Sequence, residues 1–493
     1  MRIAVRLAFL LFVCEFAFGG VPVKFSTTWY PASSVGGIVI ADFNRDGIPD
    51  VAYTSGANLV IKMGMGGGKL GPDVPYSTSE QDLDGPLAVD IDGDGWLDIV
   101  AFSQSDDEFV MLGNNGDGTF HYIGGIPVPD SYIGSITAGD FNHDGKPDLA
   151  IVSCADPYAG WPTTTTCGLY IYLGAGSPTY FTLGQSISLD GGRYGVQAWD
   201  VNGDSNLDLV FAGSGQGFIW WGNGDGTFHG PNSLTPPTTD PVAWTTVADF
   251  NQDSRLDLAL LSGRPCHPTC GDGGPNTVWM YQNNGGTSFA LTGNSQLAAY
   301  AGNLIPADVN GDLNPDVIYY NHFAMGIYPQ LQNMPQGATL FAYALGSGND
   351  TLGTQGTLPD NYFDTAVAFR DLDLDSRADY VVFDANEATL GVGIQIGGYE
   401  NCPPPSSANL AAKICGIADR ASVTSPVLVR ASGNSPAGVI QLQVWIDGNK
   451  RYVKWGDQLS KRFALNSGTH KIVVVANDKY VGSAKTSVNV TIP

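Results

Sequence analysis

One nine-residue pattern recurs seven times along the chain, and it restricts the folds open to these 493 residues more than any bulk property does. It reads DFNRDGIPD from Asp42, DIDGDGWLD from Asp90, DFNHDGKPD from Asp140, DVNGDSNLD from Asp200, DFNQDSRLD from Asp249, DVNGDLNPD from Asp308 and DLDLDSRAD from Asp371. Successive copies start 48, 50, 60, 49, 59 and 63 residues apart, which is the length of one four-stranded propeller blade. Short β-rich runs follow the motifs, such as VAY from Val51, IVAF from Ile99, LAIV from Leu149, VIYY from Val317 and YVVF from Tyr380, so each motif joins two strands. Position 2 is apolar in every copy (Phe43, Ile91, Phe141, Val201, Phe250, Val309, Leu372) and is expected to point inward.

A second element returns further along several blades: LGNNGDGTF from Leu112, WGNGDGTF from Trp221 and YQNNGGTSF from Tyr281. Its Asn, Asp and Gly residues supply the positive φ of a hairpin turn, and no chemistry is assigned to it. The last blade runs out at Gly397 and Gly398 without this returning strand. The segment VKFSTTWYP from Val23 has the character of the missing piece. The N-terminus is therefore expected to supply the outer strand of the final blade, removing two exposed sheet edges. With 64 glycines, 30 prolines and 14% charged residues, the composition agrees with many short strands joined by tight turns.

The two ends of the chain read differently. Arg2 and Arg6 precede the apolar run Leu7 to Val13, and Ala17 to Gly19 offer small residues for cleavage, so residues 1–19 are expected to be a signal peptide. The run falls far short of the ~20 residues a membrane span needs, and no later stretch is long and apolar enough for one. An exported chain favours disulfides, and the six cysteines beyond Cys14 fall as close pairs: Cys154 with Cys167, Cys266 with Cys270, and Cys402 with Cys415. The Pro- and Ser-rich stretch 402–417 reads as a linker pinned by the last pair, dividing a propeller over 20–401 from a small domain over 418–493. In that last segment Val427, Val429 and Ala431, then Ile440, Leu442, Val444 and Ile446, alternate as strands do, with a turn at DGNK from Asp447. Short strands over such a length suggest an immunoglobulin-like sandwich. The fold class expected is all-β: a seven-bladed β-propeller followed by a small Ig-like β-sandwich.

The motif carries oxygen donors at positions 1, 3, 5 and 9. These are Asp42, Asn44, Asp46 and Asp50; Asp90, Asp92, Asp94 and Asp98; Asp140, Asn142, Asp144 and Asp148; Asp200, Asn202, Asp204 and Asp208. The later copies supply Asp249, Asn251, Asp253 and Asp257; Asp308, Asn310, Asp312 and Asp316; Asp371, Asp373, Asp375 and Asp379. Calcium takes six to eight hard oxygens at ~2.3 to 2.6 Å, and ligands spaced in this way can wrap one ion with a backbone carbonyl near position 7. Two carboxylates ~4 Å apart repel by ~4 kcal/mol at the effective dielectric of a protein surface, so 23 of the 48 acidic residues gathered in seven loops call for cations. Plain Asx turns would account for positions 1 to 5, but they give no reason for a fixed acid at position 9. Up to seven Ca²⁺ are expected. Position 6 is Gly in the first three copies but Leu313 in the sixth, where a positive φ would be strained, so that loop is expected to be the weakest.

These loops resemble those of the FG-GAP or VCBS repeat proteins, including the calcium-loop blades of integrin α-chain propellers. The resemblance covers about residues 21–400 and implies a seven-bladed propeller with calcium at the loop positions, mainly as structural ties. The tail, with TSPV from Thr424 and VWIDGNK from Val444, resembles the immunoglobulin-like modules appended to exported bacterial proteins.

The formal charge of −25 argues against nucleic acid, which is bound by clustered Lys and Arg. Residues 419–493 hold 10 Lys and Arg against 4 Asp and Glu, a net +6, which leaves −31 for residues 1–418. HExxH, GxxxxGK[ST] and GxSxG are all absent, and the six histidines have no repeated partner in sequence. Aromatics gather in the middle blades, with Trp161, Trp199 and Trp220 as candidates for stacking on sugar or gripping protein, against the alternative that they pack between sheets. The expectation is a secreted or cell-surface binding or adhesion module for extracellular protein or carbohydrate. Two alternatives stand beside it: a calcium-dependent polysaccharide lyase or hydrolase, and a purely structural envelope protein.

Overall fold

In a computed structural model of the chain, the residues described are 23, 25–103, 105–130, 132–155, 166–190, 193–213, 215–263, 276–297, 303–310, 314–320, 341–357, 367–373, 377–384, 387–395, 405, 409–415, 417, 419–423, 425, 427–435, 439–455, 458–478 and 482–492. The expected signal peptide, Trp161, Asp312, Leu313, Asp375, Cys266, Cys270 and Cys402 lie outside them. Among the described residues every regular element is a strand, and no helix is long and apolar enough to cross a membrane.

Seven four-stranded sheets follow one another, and within the first six the strands pair antiparallel in chain order. They span 38–77, 83–127, 132–190, 193–234, 242–296, 303–357, and 367–395 together with 25–31. In the seventh sheet the order is Phe25–Pro31, Thr389–Gln395, Asp379–Asp384, Val367–Arg370. Phe25 pairs with Gln395 and Pro31 with Thr389, so the N-terminal strand does complete the last sheet.

The second strand of each sheet explains the stacking. Asp50–Ser55, Asp98–Ser103, Asp148–Cys154, Asp208–Gly213, Asp257–Ser262 and Asp379–Asp384 are buried along their whole length. A strand buried on both faces needs a continuous apolar run and not alternation, as in LAIV from Leu149. Side chains from successive sheets then share cores. Phe43 and Ile61 of the first sheet pack with Ile99 and Leu112 of the second, and Phe109 of the second packs with Ile151 and Tyr172 of the third. The same sharing continues through the sixth sheet, where Val309 and Ile318 meet Tyr380 and Val382 of the seventh. Leu372, Val381 and Leu390 of the seventh pack with Ile40, Val51 and Tyr53 of the first. All seven position-2 residues are at most 3% exposed.

Beyond residue 410 a three-stranded sheet (Ala411–Cys415, Val427–Asn434, Gln458–Phe463) faces a five-stranded one (Ala421–Ser422, Ser483–Ile492, Gly468–Asp478, Val439–Ile446, Asn449–Trp455). Val427, Val429, Leu442, Val444, Ile472 and Val474 form the core between them. The turn expected at Asp447 is present, with φ of 50° at Asp447 and 82° at Gly448, the pair of positive values a two-residue hairpin needs. One boundary needs correcting: Ala411–Cys415, read from sequence as linker, is a strand paired with Val427–Asn434. Its alternating Leu410, Ala412 and Ile414 pack on the core, a pattern masked by the Pro and Ser residues just before it.

Candidate metal-binding loops

Each nine-residue motif lies between the first and second strands of its sheet, and its position-9 aspartate begins the second strand. These seven aspartates are at most 2% exposed. In every copy Oδ2 accepts the position-2 N–H at 2.8 to 3.1 Å: Phe43, Ile91, Phe141, Val201, Phe250, Val309 and Leu372. Oδ1 accepts a second N–H, at 2.7 to 3.0 Å, at the end of the third strand: Gly64, Asn114, Gly174, Gly222, Asn283, Gly346 and Gln395. The carboxylate therefore clamps the loop to the sheet. Position 9, expected from sequence only as a metal ligand, has a second function that holds with or without an ion. Asn114, Gly222 and Asn283 lie in the second repeated element, to which no chemistry is assigned from sequence.

Burial, offset in part by these backbone donors and reinforced by neighbouring carboxylates, pushes Asp50, Asp98 and Asp208 up to about 6 and Asp257 up to about 7. Asp148 moves in the same direction for the same reason. In the fifth loop a further acid contributes. Asp350, 5% exposed and carried by the hairpin of the sixth sheet, lies against Asp257 and Asn251, and its own carboxyl is raised by burial. No local pattern marks Asp350, since the equivalent place in the fourth sheet is Gly226.

The other oxygen-bearing positions of the motif accept hydrogen bonds from the loop backbone. In loops one to five, Oδ2 of the position-1 aspartate accepts the position-6 N–H (Gly47, Gly95, Gly145, Ser205, Ser254). The position-5 carboxylate accepts the position-7 N–H. Position 6 has positive φ in all five, as expected, with Ser205 at 75° and Ser254 at 69°. Position 4 is left-handed as well, at Arg45, His143 and Gln252, which the sequence reading did not foresee although Gly93, Gly203 and Gly311 stand there in other copies.

In two loops the acidic oxygens converge. One oxygen each from Asp90, Asp92 and Asp98 lie within 4.8 Å of one another, as do those of Asp371, Asp373 and Asp379. Ligands ~2.4 Å from a shared ion can be no more than ~4.8 Å apart, and an all-oxygen set suits a hard divalent cation over zinc or copper. These clusters could therefore hold a metal ion.

Neighbouring loops also touch, by a rule absent from the sequence reading: the side chain at position 4 of one loop meets position 7 of the next. The Arg45 guanidinium stacks 4.4 Å above the Trp96 ring, His143 Nε2 bonds Asn206 Oδ1 at 2.8 Å, and Gln252 donates to Asn314. An exposed cation–π contact is worth ~0.5 to 1 kcal/mol. Arg45→Ala is accordingly expected to lower stability by up to about 1 kcal/mol in urea unfolding, with Arg45→Lys recovering only part because the flat stack is lost.

The other candidates fall as follows. Trp199 is 40% exposed, whereas Trp220 is half-buried against the core of the third and fourth sheets. Trp199 pairs with Asp208 and Trp220 with the adjoining Leu209, so the two rings lie on opposite faces of the fourth sheet and do not form one platform. Cys154 and Cys167 form a disulfide directly across two paired strands, and Cys415 is disulfide-bonded to a partner outside the described residues. Two histidines do share a repeated partner: His121 bonds Asn115 and His229 bonds Asn223 within equivalent hairpins, a structural tie.

Among the solved structures that match the chain are two at low identity. One is an Agrocybe aegerita lectin described for specific recognition of non-reducing terminal N-acetylglucosamine, 18% identical, with 88% of this chain and 100% of that one covered and a TM-score of 0.45. The other is the V. cholerae biofilm matrix protein Bap1, 13% identical, with 95% and 76% covered and a TM-score of 0.34. No curated protein matches the chain. Residues 42–101, 90–151 and 200–260 match the FG-GAP-like repeat family, so the stacked four-stranded sheets with their acidic loops carry three FG-GAP-like repeats.

Proposed function

We propose that the chain is an exported, calcium-stiffened binding module. In this reading the seven sheets are the blades of one closed propeller, each loop with its full donor set and no cation of the chain already against it is a Ca²⁺ site, and an immunoglobulin-like sandwich follows from Ala411. The observation that carries it is the second loop, where Asp90, Asp92 and Asp98 bring their oxygens within 4.8 Å of one another while buried Asp98 anchors the loop. Each ion would satisfy carboxylates that otherwise repel, so its chemistry is structural, tying the first and second strands of a blade at their shared corner.

A stiff frame of this kind leaves its surface free for recognition. Trp199 projects at the rim of the fourth loop, and a groove of about 450 Å³ is lined by Tyr30, Met65, Leu70 and Asp73 beside buried Lys62. Lys62 reaches Asp73 at 2.8 Å, and the Tyr53 hydroxyl donates to the same carboxylate oxygen. An aromatic ring, apolar walls and a carboxylate acceptor suit a glycan or an extracellular protein segment. Calorimetric titration with Ca²⁺ is expected to show several ions per chain, and an array of glycans and matrix proteins is expected to give calcium-dependent binding weakened by Trp199→Ala or Tyr30→Ala. Absence of ion uptake removes the calcium half of the reading; absence of any ligand at every calcium level removes the other half.

A further inference from the structure

At the seventh acidic cluster, a cation from elsewhere in the chain already faces one of the carboxylates. Lys454, in the strand Asn449–Trp455 at the edge of the five-stranded sheet, places its ammonium 2.5 Å from Asp373 Oδ1. Both side chains are almost wholly buried, at 3% and 8% exposure. Asp373 also gives one carboxylate oxygen to the triad with Asp371 and Asp379. Arg377, at position 7 of the same loop, is buried too. Lysine is rarely buried without a charged partner, and leaving one partner unpaired at such depth is strongly destabilising.

We propose that the Lys454 ammonium takes the cation position of the seventh loop, latching the C-terminal unit to the last sheet and excluding a divalent ion there. The loop sequence alone assigns DLDLDSRAD to calcium as firmly as DIDGDGWLD, since both carry four carboxylates. The difference is supplied by a residue 81 positions beyond Asp373. The charge distribution agrees, because the segment 419–493 is net +6 and the chain before it −31, and opposite fields favour docking of the two units. A latch of this form can be switched: enough free divalent cation competes with the tethered ammonium and releases the C-terminal unit.

The occupancy half of this inference rests on the calcium reading above; the latch half does not. The test uses the full chain, comparing wild type with Lys454→Met, which keeps the aliphatic stem, and with Lys454→Arg, which keeps the charge. Bound Ca²⁺ per chain is counted by elemental analysis after gel filtration, and the radius of gyration is measured by small-angle X-ray scattering. Lys454→Met is expected to bind one more ion than wild type and to scatter as a more extended particle, while Lys454→Arg matches wild type in both. Equal non-zero ion counts in wild type and Lys454→Met overturn the assignment of the site. Zero ions on both sinks the calcium reading instead, and the latch is then judged by scattering alone, where an unchanged radius overturns it. Should Lys454→Met fail to fold, Asp373→Asn removes the other half of the pair and carries the scattering comparison under the same criterion.

Discussion

Asp98→Ala is expected to destabilise the chain by about 2 to 6 kcal/mol even in metal-free buffer, because it leaves two buried backbone donors without acceptors at ~1 to 3 kcal/mol each. Those donors are the N–H groups of Ile91 at 2.8 Å and Asn114 at 2.7 Å. Asn114 extends the same clamp, since its side-chain amide donates to the carbonyls of Phe43 in the previous loop and Leu97 in its own. Losing Asp98 thus loosens the joint between the first and second sheets as well as its own loop. Asp98→Asn keeps one acceptor but turns an NH₂ toward the other donor, so an intermediate loss is expected. Asp92→Ala is the control, because Asp92 is exposed and belongs to the same cluster; in chelator it should change stability by no more than about 0.5 kcal/mol. Urea unfolding with chelator present separates the two roles. A loss below about 1 kcal/mol for Asp98→Ala would mean that position 9 matters only when a metal is bound.

The clamp shows what kind of information the repeat carries. Seven copies at blade-length intervals revealed the strand–loop–strand unit, the inward residue at position 2 and the closing strand from Val23, because each depends on local order and a fixed period. The double use of position 9 stayed hidden because a carboxylate at that spacing serves ligation and backbone capture equally well. Asp350 and Lys454 stayed hidden for a different reason. Each enters a loop from another part of the fold, and no other copy of the repeat carries an acid or a lysine at the matching place. The two tryptophans were ambiguous because strand register, which sets the face each ring occupies, is fixed by pairing across the sheet and not by either strand alone. The Pro- and Ser-rich run before Ala411 concealed a short edge of the C-terminal core by making its surroundings look like linker.

The direction of pH dependence is expected to reverse with calcium. In chelator the folded chain holds Asp50, Asp98 and Asp208 near 6 and Asp257 near 7, above their ordinary value of 3.8. Between those limits the native state binds more protons than the unfolded state, so stability should fall as pH rises through 6 to 7 and recover as pH drops toward 4. With calcium present the ionised carboxylates are the ones that bind, protons compete with the metal, and stability should instead fall as the solution is acidified below about 6. At pH 7.5 an ion at 100 times its dissociation constant adds ~2.7 kcal/mol per site. Two filled loops would therefore add about 5 kcal/mol and raise the melting temperature by about 5 °C. Melting curves at pH 5, 6, 7 and 8, with calcium and with chelator, decide the matter. Parallel pH profiles with no calcium-dependent rise would mean that the buried aspartates are held by backbone donors alone and that the loops do not take an ion.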